Sequence, residues 1–158
     1  VGTELKGTGK TAFTGMSPGT SKKTGMFSFR TDDRPARTLV ITESALDAMS
    51  YVQAKKDTLR DALIVSTAGA RGSLPSWLMS KLKSEPIDEV RLAFDNDKQG
   101  QNYVDQYKKE LEPYAQAQRI TADLPGPGAD WNDEARRQAR GFDNPDLSFS
   151  KETGFTNR

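Results

Sequence analysis

The sequence predicts an α/β fold, a parallel sheet of about four strands flanked by helices and preceded by a small basic segment with β character. Two observations carry this expectation. From residue 38 onward, short apolar runs alternate with longer stretches of helical periodicity, the pattern of strands joined by helical crossovers. Two of those runs stop on acids, Glu43 after the first and Asp95 with Asp97 after the third. A strand that crosses a buried core and ends on a carboxylate presents it at its carboxyl end, where open α/β sheets place their ligand sites.

The elements follow in order. Residues 1–30 hold Lys6, Lys10, Lys22, Lys23 and Arg30 against the single acid Glu4, with Phe13, Phe27 and Phe29 interleaved. That mixture suits either a basic, partly extended surface for a phosphate backbone or a solvated, loop-rich lead-in. Residues 38–42 read as a buried strand. Residues 44–54 read as a helix with Ala45, Leu46, Met49 and Val52 on one side, capped by Ser44 with Asp47 three residues on. A second strand, residues 62–67, runs into a tight turn at 68–72, and a helix is expected from Ser73 carrying Leu74, Trp77, Leu78 and Leu82. The third strand, residues 89–94, meets the acidic turn and then a helix from about Gly100 with Tyr103, Val104, Tyr107 and Leu111. A weaker fourth strand at 117–121 leads to the Pro-Gly-Pro-Gly stretch at 125–128, and a helix from Trp131 to about Ala139 closes the core. The expected organisation is a basic lead-in at 1–36, a catalytic domain at 37–140 and a polar, loosely ordered tail at 141–158.

Composition limits the chemistry. The 158 residues make about one domain, and 34% hydrophobic with 28% charged residues is ordinary for a soluble fold. There is no Cys and no His, which removes structural disulfides, thiolate zinc sites and the commonest general base. Any metal must therefore rest on oxygen ligands, which favours hard cations such as magnesium, calcium or manganese. No apolar stretch approaches a membrane span and no signal peptide opens the chain, so a cytoplasmic location is expected. The chain starts on Val1 rather than Met, which suggests a domain excised or processed from a longer protein.

Two motif-like stretches fail on inspection. Gly9-Lys10-Thr11 looks like the end of a phosphate-binding P-loop, but position 4, where its first Gly belongs, is Glu, and no strand precedes it. The run from Asp95 to Gly100 resembles the opening of an EF-hand loop, yet the twelfth position is Gln106 rather than Glu, and a strand leads in. The acidic constellation survives. At spacing two, Asp95 and Asp97 can face the same side of an extended chain, and Glu43 can approach them if the first and third strands are neighbours. Three adjacent carboxylates repel one another unless a cation lies between them, so together they imply a metal site. Taken singly, Asp97 could be a helix cap and Glu43 a solvated strand end.

These residues resemble a known family. Glu43 with the Ser-Ala-Leu-Asp-Ala helix after it, and Phe94-Asp95-Asn96-Asp97-Lys98-Gln99-Gly100, are similar to the two signature motifs of the Toprim domain of topoisomerases, bacterial primases, recombination-repair proteins and certain nucleases. Ala129-Asp130-Trp131-Asn132-Asp133 resembles the segment that follows the sheet in primase-like members. The likeness covers roughly residues 37–140 and implies a Rossmann-like sheet. In the lead-in, Gly2 to Thr8, Gly15 to Lys23 and Gly25 to Phe29 follow the layout of Toprim domains from plasmid and mobile-element primases and relaxase-associated proteins. That branch implies that residues 1–36 belong to the catalytic unit. The zinc module such members often carry upstream is not among these residues.

The resemblance implies that Glu43 is a metal ligand or general acid/base and that Asp95 and Asp97 are magnesium ligands, with manganese able to substitute. It leaves Asp130 and Asp133 between a second-metal role and a cap with a favourable first-turn charge. Gly69 could permit close backbone approach, with Arg71 on phosphate, or make an ordinary turn. Lys98 could neutralise phosphate or be solvated, and Trp77 and Trp131 are expected in the core. The implied function is primase-type nucleotidyl transfer on a single-stranded DNA template with nucleoside triphosphates, alongside upstream domains of a parent protein and without a membrane partner. A metal-dependent nuclease, or a binding module with little activity alone, are the alternatives. Topoisomerase action would need a nucleophilic Tyr in an additional domain.

Overall fold

Apolar triplets such as Leu39-Val40-Ile41 and Leu63-Ile64-Val65 place apolar side chains on both faces, so they are stable only with helices on each side of the sheet. The computed structural model describes residues 3–7, 14–21, 25–69, 74–114 and 119–142. Two short strands, β1 (Glu4–Lys6) and β2 (Thr14–Met16), pair antiparallel in a small sheet of their own. The main sheet contains β3 (Ser28–Arg30), β4 (Thr38–Thr42), β5 (Ala62–Ser66), β6 (Glu89–Ala93) and β7 (Arg119–Ala122), in the order β3-β5-β4-β6-β7. The last four are parallel, as expected, and β3 adds a fifth, antiparallel strand along β5. The expected boundary at residues 36 and 37 falls between β3 and β4, so sheet hydrogen bonds cross it.

Helices α1 (Ala45–Lys55), α2 (Ser76–Ser84), α3 (Lys98–Leu111) and α4 (Trp131–Phe142) cover the two faces, with a 3-10 turn at Glu112–Tyr114. Alternation along β4 divides the core. Leu39 and Ile41 pack with Leu78 of α2 and Val104, Tyr107 and Leu111 of α3, whereas Val40 joins Ala48 and Tyr51 of α1 and Trp131 of α4. Trp131 is buried, meets the Tyr51 ring edge-on at 4.7 Å and donates its indole N–H to Ala93 O at 3.0 Å. It is a core residue, as expected. Trp77 is partly buried against the other cluster, with Lys81 Nζ 5.6 Å from its ring.

Several helix expectations need correction. The inward face of α1 is not that of Leu46 and Met49, which are 39% and 51% exposed; Asp47, Ala48, Ser50 and Tyr51 are buried, and Val52 packs partly buried against the core as expected. Tyr51 must reach Trp131, and that rotation carries Asp47 inward. Helix α2 begins at Ser76 rather than Ser73, because Pro75 disfavours helical backbone at Leu74 and itself stands as the N-cap. Helix α3 begins at Lys98, two residues before Gly100, because the Asp97 side chain caps it. Helix α4 continues to Phe142, past Ala139 and into the stretch assigned to the tail; residues 143–158 lie outside the described residues. Among the described residues, no helix is long and apolar enough to cross a membrane.

The packing of Trp131 is open to test. Trp131→Ala should cost about 3–5 kcal/mol in urea unfolding, as for other buried Trp truncations. Trp131→Phe keeps an aromatic ring, though a smaller one, but leaves Ala93 O without its donor, and should cost about 1–3 kcal/mol.

Candidate functional site

The chain passes from β4 through α1 to β5 on one side of β4, then through α2 to β6 on the other. That reversal makes a switch point between β4 and β6, the place where sheets of this order open a crevice at their carboxyl edge. Thr42 lies opposite Ala93 in the parallel register, so the residues that follow, Glu43 on one strand and Phe94-Asp95 on the other, leave the sheet side by side. The neighbouring arrangement that the acidic pattern required is present.

Each acidic turn is pinned. At the end of β4, the buried Thr42 hydroxyl donates to Ser44 O at 3.1 Å and to Val65 O at 3.2 Å. Glu43 O accepts from Gly69 N at 2.9 Å and from the Thr67 hydroxyl at 3.3 Å, tying the turn after β5 to the residue that carries the acid. Gly69 has a left-handed φ of +83°, a conformation that favours glycine, and among the described residues a Cβ there would meet nothing within 4 Å. Ser44 caps α1, accepting from Asp47 N at 3.2 Å and donating to Asp47 Oδ2 at 2.5 Å.

At the end of β6, Phe94 is fully buried, with its ring 5.2 Å from Tyr107. Asn96 latches a distant loop: its N–H donates to Ala129 O at 3.0 Å, its side-chain amide to Pro125 O at 2.8 Å, and its carbonyl accepts from Gly128 N at 2.8 Å. That latch brings Asp130 to the edge. Asp97 accepts from Gly100 N at 2.7 Å and Asp130 accepts from Asp133 N at 2.7 Å, so both are helix caps, for α3 and α4. Gly100 is buried against the turn, where a Cβ would stand 1.9 Å from Asp95 O.

Asp95 lies at the centre. Its Oδ1 is buried and has no hydrogen-bond partner among the described residues. Burial, and then the charges of Asp47, Glu43, Asp130 and Asp97, push its carboxyl up from 3.8 to about 7. Four acids therefore act on a fifth, and the strongest of those charges comes from Asp47. Asp47 was not expected as a site residue; an acid in the first turn of the helix that follows Glu43 is the signal that could have found it.

The donor set and the uncompensated oxygen suit a hard cation. Among the described residues no three acids converge tightly enough to cage an ion. Magnesium is commonly held by one or two carboxylates together with waters and substrate phosphates, which an open cluster of this kind can supply.

The other expected residues are more scattered. Asp133 is exposed, 3.6 Å from Arg136, and sits in the first turn of α4 rather than among the acids acting on Asp95. Lys98 is exposed at the first position of α3. Arg30 pairs with Glu85 at 2.5 Å, and its register with Leu63 sets it toward the amino ends of the parallel strands, away from the acids. Lys6 lies on β1, and Lys10, Lys22, Lys23 and Arg71 lie outside the described residues.

Residues 40–135 match the family described as Toprim-like, a span that contains Glu43, Asp47, Asp95, Asp97 and Asp130. The chain belongs to the Toprim-like family. Toprim domains bind magnesium through acidic residues, are typically enzymes, and process nucleic acid in metal-dependent reactions. The match leaves the lead-in outside it and reaches no particular Toprim subtype. No curated protein and no solved structure shows a significant match to the chain.

Two outcomes follow from this Toprim edge. Gly100→Ala, which on an open helix would stabilise by up to about 1 kcal/mol, should here destabilise by about 1–3 kcal/mol through the clash with Asp95. Urea unfolding reads the sign. Because the folded-state pKa of Asp95 is raised from 3.8 to about 7, its ionisation opposes folding, and stability is lost as pH rises through that window. With chelator present, Asp95→Asn should gain stability over the parent between about pH 5 and about pH 8; a difference independent of pH would count against the shift.

Proposed function

We propose that this domain performs magnesium-dependent nucleotidyl transfer of the primase type on a single-stranded nucleic-acid template. In that reaction a primer 3′-hydroxyl attacks the α-phosphorus of a nucleoside triphosphate, a new P–O bond forms, and pyrophosphate leaves. The carrying observation is Asp95, a half-buried carboxylate whose buried Oδ1 has no partner among the described residues, under the charge of four other acids at a sheet switch point. Asp95 and Asp97 are the proposed magnesium ligands, and Asp97 has Oδ2 to offer while Oδ1 caps α3. Asp130 is placed in the same way, for a second ion. A divalent cation bound there supplies charge stabilisation for phosphate and the departing oxygen. Glu43, at the end of β4, is assigned to ligation or to proton transfer at the attacking hydroxyl.

Support for synthesis over cleavage comes from the lead-in, whose glycine, lysine and phenylalanine layout resembles that of mobile-element primases and whose Glu4 is bonded to the site edge. Lys6, Lys10, Lys22, Lys23, Arg71 and Lys98 are proposed to follow the template or triphosphate phosphates. Arg30, held by Glu85, is left out of that set. Upstream domains of a longer protein are the proposed partners.

Incubation with single-stranded template, labelled nucleotides and magnesium should yield short oligonucleotides. Asp95→Asn with Asp97→Asn should lower that yield at least about 100-fold while leaving the fold intact. Shortened template in place of new product would assign the same acids to a nuclease, and retained binding with neither product would assign a binding module.

A further inference from the structure

Glu4 is the single acid in residues 1–30, and both of its oxygens are engaged far from its own strand. Oε1 accepts from Ala45 N at 2.9 Å and Oε2 accepts from the Ser66 hydroxyl at 2.8 Å. Ala45 is the first residue of α1 and Ser66 the last of β5, so one carboxylate spans the carboxyl ends of two neighbouring parallel strands.

These bonds bracket Glu43. On one side, Ala45 is two residues from it. On the other, the Ser66 Oγ that donates to Glu4 also accepts from Ala68 N at 3.1 Å, and the next residue, Gly69, donates to Glu43 O at 2.9 Å. Behind Glu4, β1 is held in its hairpin by Ser17 N donating to Thr3 O at 2.9 Å and Thr3 N to the Thr20 hydroxyl at 3.3 Å. A hydrogen-bonded path therefore runs from the hairpin to the backbone that presents Glu43. Placing a further carboxylate near a cluster of acids is unfavourable by charge alone, and the α1 amino terminus together with the Ser66 hydroxyl offsets it.

We infer that Glu4 is a positioning residue: it docks the lead-in hairpin on the carboxyl edge of the sheet and fixes the turn that carries Glu43. Its consequence for metal and template rests on the proposed function; the docking itself does not. The lead-in thereby becomes a wall of the site.

The test compares the full chain with Glu4→Ala and Glu4→Gln, using amide hydrogen exchange followed by NMR, manganese titration and thermal melts. In Glu4→Ala, exchange at Ala45 should rise by about tenfold, the loss expected for one hydrogen bond. Ala68 should exchange faster too, and manganese affinity should fall several-fold while Leu92 in the core keeps its protection. Glu4→Gln retains an acceptor for Ala45 N and should recover most of the Ala45 protection. Unchanged exchange at Ala45, or protection lost evenly through Leu92 and the rest of the core, overturns the inference. If the parent chain takes up no manganese, the functional reading fails, and the exchange at Ala45 and Ala68 alone decides whether Glu4 docks the hairpin.

Discussion

The parallel pairing of β4 with β6 forces two acidic strand ends together, and the carboxyl edge is organised around the repulsion that results. Three helices begin there. Asp47 lies in the first turn of α1, Asp97 caps α3 and Asp130 caps α4, so three of the acids acting on Asp95 sit at positive helix termini. The helix dipoles and cap bonds stabilise these carboxylates individually, and Asp97 and Asp130 each cap through Oδ1. The cap and ligand readings of Asp97 and Asp130 are therefore compatible, since a cap bond to Oδ1 leaves Oδ2 to serve as a ligand.

Around the acids, the turns are set by hydrogen bonds from backbone and side-chain donors to backbone carbonyls rather than by the sheet. Gly69 and Thr67 hold Glu43, Asn96 holds the loop before Asp130, and Gly100 lets α3 press against Asp95. Below them, the buried contact of Trp131 with Tyr51 and Ala93 fixes α4 against α1 and the sheet. The acid positions are thus determined from beneath by packing and from the sides by turns, which leaves little freedom to relieve the repulsion by moving apart.

The strands were legible because each is a short apolar run bounded by polar turns, and Glu43, Asp95 and Asp97 were legible because they end such runs. Asp47 was hidden by the assumption that the apolar side of α1 faces inward; a buried acid and a buried Tyr overrode the hydropathy of Leu46 and Met49. Asn96 and Glu4 were hidden for another reason. Their partners, Pro125 and Ser66, are remote along the chain, and no local pattern marks a side chain that will bond to a distant turn. The antiparallel seat of β3 was likewise beyond local reading, because pairing partners of a three-residue strand leave no periodicity.

The origin of the acids in separate segments bears on how the protein assembles. Glu43 and Asp47 arrive with β4 and α1, Asp95 and Asp97 with β6 and α3, and Asp130 only when the loop latched by Asn96 has closed. In a partly folded chain the three segments are apart, and only the repulsion within the Glu43–Asp47 and Asp95–Asp97 pairs is felt. The penalty arises late, after most apolar surface is buried, so a cation in the cluster would act chiefly on the rate of unfolding and little on the rate of folding. Persistence of the folded state would then follow the free magnesium around it, even at a constant speed of folding.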